Sequence, residues 1–598
     1  MAPSDSVSPV VLVDEMPLDP LIKPLLFRTV VETSLHLPNT CELTFSDPDR
    51  TVVELGGFLI GSPLSVEVAG ADDPLPIFNG FVEALELEYD ISGKKTIIRA
   101  MDSTARLMKG RMTRTFQEML ASEMVEEILA ERGIELNEIM PSEIFYTYMI
   151  QAAQSDWQFI QKLAFDNGFR AYVDGMGIFH FQPTTPAVEM PVPGTYAFNL
   201  ATQLVLGKSL RRLHAVMRSA EQVDGVEVGG WSPLIGGPVY GVGVEVTEGV
   251  ENLVQPEEVA ALGLGGVFTN AWFPNDNEDE AEAKAEAMAI QLAEAYAELE
   301  GEAYGHPSLQ AGTAISLAGA GIPFDGSYTL TAARHVFTPD EPYLTHINVS
   351  GWQDRTMLGL ASGPEQSLNA VPGRIPGVVC ARVINCRDPE DQGRVQLMFP
   401  WMDPDAISDW ARVMQFGTNP GTGFLIVPEE GSEVLVAFDQ GDPRRPYVIG
   451  GLYNFIDEPL PSPLLIDEAT GLVNERRMMS RDMHQVSFYD GEEQNGILIQ
   501  TGDEVQQLKL DALEQMITIM NVDGEITISG AVISIQAEGD LSLEALGELS
   551  ITAANITIES EGAIEITTEG DLAITGGAVE LTAEEMMAID GPIVAING

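Results

Sequence analysis

The sequence predicts a mainly β protein in three parts: an α+β first half, a small barrel of the oligomer-binding (OB) type, and a C-terminal β-helix, or β-prism, intertwined from three chains. Three observations carry this reading. The last hundred residues hold an internal repeat of seven or eight residues. Residues 372–456 alternate short apolar runs with turn chemistry. The chain also contains 57 glycines and 37 prolines, more than the usual ~7% and ~5%, as many turns and strands require.

The repeat consists of apolar pairs at i and i+2, opening at Ile517/Ile519. It continues through Ile526/Ile528, Ile533/Ile535, Leu541/Leu543, Leu549/Ile551, Ile556/Ile558, Ile564/Ile566, Leu572/Ile574 and Val579/Leu581, and ends at Val594/Ile596. A small residue stands two positions before each pair from Ile526 to Val579, for example Gly524, Ala531 and Gly539. An octad holds one strand of about five residues and a tight corner. A single-chain β-helix needs roughly 18 residues per coil, so one octad supplies one side and two further chains must supply the others. The sixteen residues from Ile526 to Leu581 in these pairs are the predicted needle core. No aromatic residue follows Tyr489 and no Lys or Arg follows Lys509, as a slender aliphatic core with an acidic exterior demands. A one-chain solenoid would leave long unpaired edges.

Upstream, Val378–Ile384 and Arg394–Phe399 read as strands joined by the turn Asp388–Gly393. Further strands at Trp410–Phe416, Gly423–Val427, Glu433–Phe438 and Tyr447–Gly450 suggest a five-stranded barrel. The first 371 residues mix strand-like runs (Pro63–Val68, Thr96–Met101, Arg170–Phe181, Gly326–Val336) with three helix candidates. These are Phe116–Arg132 before the stop signal Gly133, Trp157–Asn167 with Ser155 as N-cap, and the Ala-rich Asn275–Glu300 with an acidic first turn. The predicted divisions are therefore 1–371, the barrel at 372–456, a linker at 457–490 and the needle at 491–598.

At 598 residues the chain is too long for one core and suggests about four units. Its 91 acidic and 31 basic residues give −60, which repels phosphate backbones and argues against nucleic acid as a partner. Such acidity also suits a high-salt environment, where charges are screened over a few ångströms. Three cysteines, Cys41, Cys380 and Cys386, form no CxxC pair and predict no disulfide framework. The first 20 residues lack Lys and Arg, and no apolar run approaches 18 residues, so neither a secretory leader nor a membrane helix is expected and synthesis is placed in the cytoplasm.

One ordered set of residues resembles a known family: Asp388-Pro389, Gly393–Trp401, Trp410–Val413, Gly431–Phe438 and Gly441–Asn454. It is similar to the VgrG-type spikes of contractile injection systems and to phage tail hub and needle proteins, with wording nearer to extracellular, phage-tail-like particles. Gln154–Gln161, Asn167-Gly168-Phe169, Gly305-His306-Pro307, Phe324–Tyr328 and His335 look like the family's hub. The resemblance implies β-barrel hub domains in a homotrimeric ring that adapts a hexameric tube protein and baseplate proteins to the needle. It also implies a PAAR-repeat tip protein on the end, effectors as passengers, a target membrane contacted only on firing, and an assembled, released particle as the final location. Pro592, Ile593, Val594, Ala595 and Ile596 form the expected apolar platform for the tip protein.

No catalytic, cofactor or metal site is expected. The seven histidines (His36, His180, His214, His306, His335, His346, His484) show no metal-ligand spacing, and none follows His484, where some relatives carry an iron-binding HxH. Gly417–Gly423 lacks the lysine of a phosphate loop and reads as a turn; Glu559/Glu561 imitates a glycosidase pair but recurs as solvated surface. The interval from Phe455 to Asp490 is too short for an inserted enzyme, and the chain stops just past its last repeat. Two other readings are a phage tail hub and spike, and, in another class, a polysaccharide-degrading β-helix enzyme.

Overall fold

The computed structural model describes residues 8–68, 74–91, 93–134, 136, 139–187, 202–219, 222–232, 237–244, 250–252, 266–270, 275, 277–351, 374–460, 462 and 465–595. It divides into two compact units, Met1–Pro461 and Ser462–Gly598.

The first unit is organised on an eleven-stranded sheet. In order across it run Leu210–Met217, Ala297–Tyr304, Glu341–Val349, Ala332–Thr338, Leu26–Ser34, Thr40–Ser46, Gly93–Met101, Leu75–Asp90, Pro63–Val68, Pro9–Val13 and Met16–Pro17. Pro63–Val68 shows why such segments are strands: Leu64, Val66 and Val68 are buried while Ser65 and Glu67 are only partly covered, a period of two. Leu26–Ser34 pairs with Ala332–Thr338, about 300 residues away, so the sheet joins both ends of the first half.

Five α-helices lie in this unit among the described residues: α1 Val52–Leu55, α2 Ala105–Met108, α3 Ala121–Arg132, α4 Asp156–Asp166 and α5 Glu278–Glu294. The α4 boundary follows the sequence, with the Ser155 hydroxyl accepting from the Gln158 amide. Two expectations are corrected. Phe116–Leu120 is not helical: it belongs to the strand Met112–Leu120, paired with Phe145–Gln154, and α3 begins only where Glu123 caps the Leu120 amide. The apolar spacing of Met119 and Leu120 imitated a helical turn inside a threonine-rich strand. Likewise α5 ends at Glu294, because Ala297–Tyr304 alternates with period two and is held between two other strands. The alanines of α5 have a packing reason. Ala281, Ala285 and Ala289 are fully buried against Val226 and Val228, and a Cβ on Gly241 would lie 2.1 Å from the Ala281 carbonyl carbon. Arg170–Phe181 and Gly326–Val336 each resolve into two strands: Phe169–Val173 with Phe179–Pro183, and Gly326–Thr329 with Ala332–Thr338.

The barrel is a six-stranded sheet, not five-stranded. Its order is Asp403–Ile407, Gln396–Phe399, Val378–Asn385, Glu433–Phe438, Pro446–Gly451 and Arg412–Val413. Paired bonds between Val395 and Ala411, 3.0 and 2.7 Å, return the last strand to the second and close the ring. Val383, Leu397, Phe399, Val434, Val436 and Phe438 fill it. The expected strand Gly423–Val427 is absent; a short hairpin pairs Thr418–Asn419 with Thr422–Gly423. The expected start of this module, residues 372 and 373, lies outside the described residues.

The second unit opens with a five-stranded antiparallel meander: Glu475–Met479, Gln485–Asp490, Asn495–Gln500, Gln506–Asp511 and Met516–Asn521. The segment read as a linker, 457–490, thus carries two strands, hidden in sequence because one face of each is polar. From 525 to 595 no strand pairing occurs within the chain among the described residues, and every residue is exposed.

Candidate functional site

The residues expected to form the needle core are not a core within the single chain. Ile526, Ile528, Ile533, Ile535, Leu541, Leu543, Leu549 and Ile551 are all exposed, and so are Ile556, Ile558, Ile564, Ile566, Leu572, Ile574, Val579 and Leu581, the whole series lying between 52% and 73%. The physical reason is that this segment makes no strand pairing of its own, so no surface of the same chain covers these side chains. Their exposure alternates regularly. The first member of each pair is less exposed than the second, as in Ile556 at 55% and Ile558 at 73%.

That regularity identifies a pair the sequence reading missed. Met587 and Ile589, at 49% and 64%, continue the series eight residues after Val579/Leu581 and seven before Val594/Ile596. The signal was the spacing itself, obscured because methionine replaces a branched residue. Of the terminal platform, Ile593 and Val594 are exposed, with Pro592 and Ala595 beside them, and Ile596 lies outside the described residues.

The meander has an apolar face as open as the octads. Opposed residues share a face of a sheet, so the registers place Phe488, Ile497, Leu510 and Ile517 in one row, with Met478, Val486, Ile499, Leu508 and Ile519 in the next. Arg476 ends the first row, paired at 2.6 Å with Asp490. The opposite face carries Arg477, Ser487, Leu498, Lys509 and Thr518.

Within the first unit, the barrel is fastened to the strands and helices before it by an apolar contact and a buried charge cluster. Met402 packs on Tyr148, Ile150 and Ala152, and the Tyr148 hydroxyl donates to the Ile407 carbonyl at 2.9 Å. In the cluster, Glu280 in the first turn of α5 accepts from Lys284 at 2.6 Å and from Arg444 of the barrel at 3.1 Å. Asp442 holds the same guanidinium at 2.8 Å and the Arg444 amide at 3.0 Å. Burial pushes the Glu280 carboxyl up, but Lys284 and Arg444 overcome it and hold it down at about 2. Burial also opposes ionisation of Asp442, yet Arg444 and Lys162 keep it below the usual carboxylate range. This assigns a role to the stretch Gly441–Pro446, which the sequence reading quoted without explaining. The turn at 388–393 uses a similar device: Asp388 accepts from the amides of Glu390, Gln392 and Arg394 and grips the Arg394 side chain at 2.7 and 3.0 Å.

The remaining polar groups are structural. His335 is fully buried, its Nδ1 2.7 Å from the Tyr343 hydroxyl, and burial pushes it down to about 3, so it is a neutral core group. His306 accepts the Ser308 amide on Nδ1 at 3.2 Å. A cleft of about 440 Å³ opens on the large sheet, where Arg212, Glu302, His346, Arg334 and Glu32 stand in one row. Glu32 pairs with Arg334 and Glu302 with Arg211, each at 2.9 Å, making a ladder of ion pairs on a sheet face. Among the described residues no three His, Cys, Asp or Glu side chains converge as metal ligands. No helix among them is long and apolar enough to cross a membrane.

Comparison with known proteins locates these surfaces in a family. Residues 379–453, the barrel, match the type VI secretion system/phage-baseplate injector OB domain, and residues 39–338 match the Alg8 N-terminal domain. The actin cross-linking toxin VgrG1 of Vibrio cholerae is 31% identical over 111 residues, 18% of this chain and 10% of that protein. The type VI secretion system spike protein VgrG1a of Pseudomonas aeruginosa is 36% identical over 69 residues, 11% of each chain. The chain thus spans about a tenth of the length of these curated relatives. Among solved structures, a Francisella PdpA–VgrG complex is similar over 86% of this chain and 80% of that one, with 9% identity and a TM-score of 0.49. With the Alg8 N-terminal domain model covering half of its length and the injector OB domain following, the chain belongs to the Alg8 N-terminal domain family and is a spike protein of the VgrG type.

Proposed function

We propose that the chain is the homotrimeric central spike of a contractile injection system. In this reading the first unit joins a hexameric tube and baseplate to the needle, sheath contraction drives the assembly forward, and the needle breaches the target envelope carrying a PAAR-type tip on Pro592–Ile596. The spike transmits force and catalyses nothing; effectors travel with it. The observation that carries this is the row of apolar pairs from Ile526 to Ile589, regular in conformation and uncovered by their own chain. Full burial of such side chains is worth roughly 1.5–3 kcal/mol each, which two further copies would supply. The injector OB domain match supports the same setting.

Light scattering in low and high salt tests the reading. The intact chain is expected at three times 64.6 kDa, and a chain ending at Asp457 at a lower mass. A monomer of the intact chain in high salt would refute it.

A further inference from the structure

We propose that the meander, residues 475–521, is the clamp that sets the register of the three chains before the octads intertwine. The inference rests on the three-chain reading above and adds where the assembly begins and what aligns it.

The octads alone align poorly. Sliding one chain by a single repeat again lays Ile/Leu pairs on Ile/Leu pairs, and only one pair at each end is lost. Such a degenerate pattern specifies association but not register, as in flat strands with repeated faces. Residues 510–598 also carry acidic side chains and no Lys or Arg, so three copies repel one another along their whole length. The meander differs on both counts. Its apolar face is two rows of unlike residues, among them Met478, Phe488, Ile499 and Leu510, which match a second copy in one alignment only. The same sheet bears Arg476, Arg477 and Lys509, so repulsion there is lower.

The occupant of this face is a second copy of the chain, and continuity is the reason. Ile517 and Ile519 are the last members of the two apolar rows and also the first alternating pair of the repeat. They are 71% and 62% exposed, like the octad pairs that follow. Whatever covers Ile526 and Ile528 must therefore already lie against Ile517 and Ile519. Because the apolar face is an antiparallel sheet bonded within its own chain, it forms before partners arrive; the octads do not.

The test reads register directly in the full-length protein. Ile556→Cys, in a chain whose exposed Cys380 is replaced by Ser, brings three thiols together at the axis only when all chains are aligned. Cross-linked trimer is measured in that background, then with Leu510→Asp on the apolar face, and with Thr518→Asp on the opposite face beside Lys509. Leu510→Asp is expected to lower cross-linked trimer at least about fivefold while Thr518→Asp leaves it near the starting level. Unchanged cross-linking in Leu510→Asp overturns the clamp and leaves the three-chain spike standing. Equal losses in both variants also overturn it, since the effect would belong to the sheet's folding and not to its face. No cross-linked trimer in the background chain, together with a monomeric mass, brings down both readings.

Discussion

The strand Glu433–Phe438 of the barrel and the octad pair Ile526/Ile528 follow the same alternating pattern, yet they meet opposite fates. Val434 and Val436 are fully buried, whereas Ile526 and Ile528 are 52% and 69% exposed. The difference lies in the origin of their neighbours. Val434 and Val436 lie between Val378–Asn385 and Pro446–Gly451 of the same chain; Ile526 and Ile528 have no such partners within it. Alternation states that a segment is a half-buried strand, and does not state whose strands bury it.

The sharpest way to separate the two regions is to place a charge in each. Val436→Asp should unfold the barrel at every protein concentration, since an unpaired buried charge costs about 3–5 kcal/mol or more. Ile556→Asp should leave the melting of the first unit untouched and abolish the threefold mass. Truncation gives a finer contrast. Phe399→Ala should cost about 3–5 kcal/mol and Leu549→Ala about 2–5 kcal/mol per chain. Denaturant midpoints should depend on protein concentration only for the second.

The junction between barrel and hub makes a third comparison. Glu280→Gln leaves Arg444 and Lys284 short of a counter-charge and should cost about 3 kcal/mol at neutral pH. Because the folded carboxyl is held at about 2, below its unfolded value near 4.5, its contribution is present above about pH 4.5 and is lost as the pH falls toward 2. The gap between wild type and Glu280→Gln should close over that window, as followed by acid unfolding. Smallest of all is Arg99→Ala: this half-exposed residue bridges Glu42 and Glu86 on the large sheet, and its loss should change stability by under ~1 kcal/mol, less still in high salt.

Much of this was legible in the residues. Ser155 and the apolar positions after it gave α4, and Pro63–Val68 was read to the residue. The octads were legible because their signal is a spacing, and the family from an ordered set of turn and strand residues in the barrel. What was not legible has a common cause. Phe116–Leu120 was read as helix because its strand partner lies some 30 residues downstream. The strands at 475–490 were taken for a linker because their polar face dilutes the alternation. Met587 and Ile589 surfaced only through a uniform exposure pattern. The Glu280–Arg444 contact joins residues 164 apart, and nothing in either neighbourhood announces the other.

By itself, then, the sequence determined local conformation and the demand for partners: octads too short to close a coil, and an aliphatic series with no aromatic or cationic residue in it. Tertiary structure decided which of those demands the chain meets alone. It closes the barrel through Val395 and Ala411, pairs Glu280 with Arg444, and leaves one face of the meander and every octad pair open. The reason is physical: hydrophobic periodicity is a property of neighbouring residues, while burial and ion pairing depend on surfaces that only the folded chain brings together.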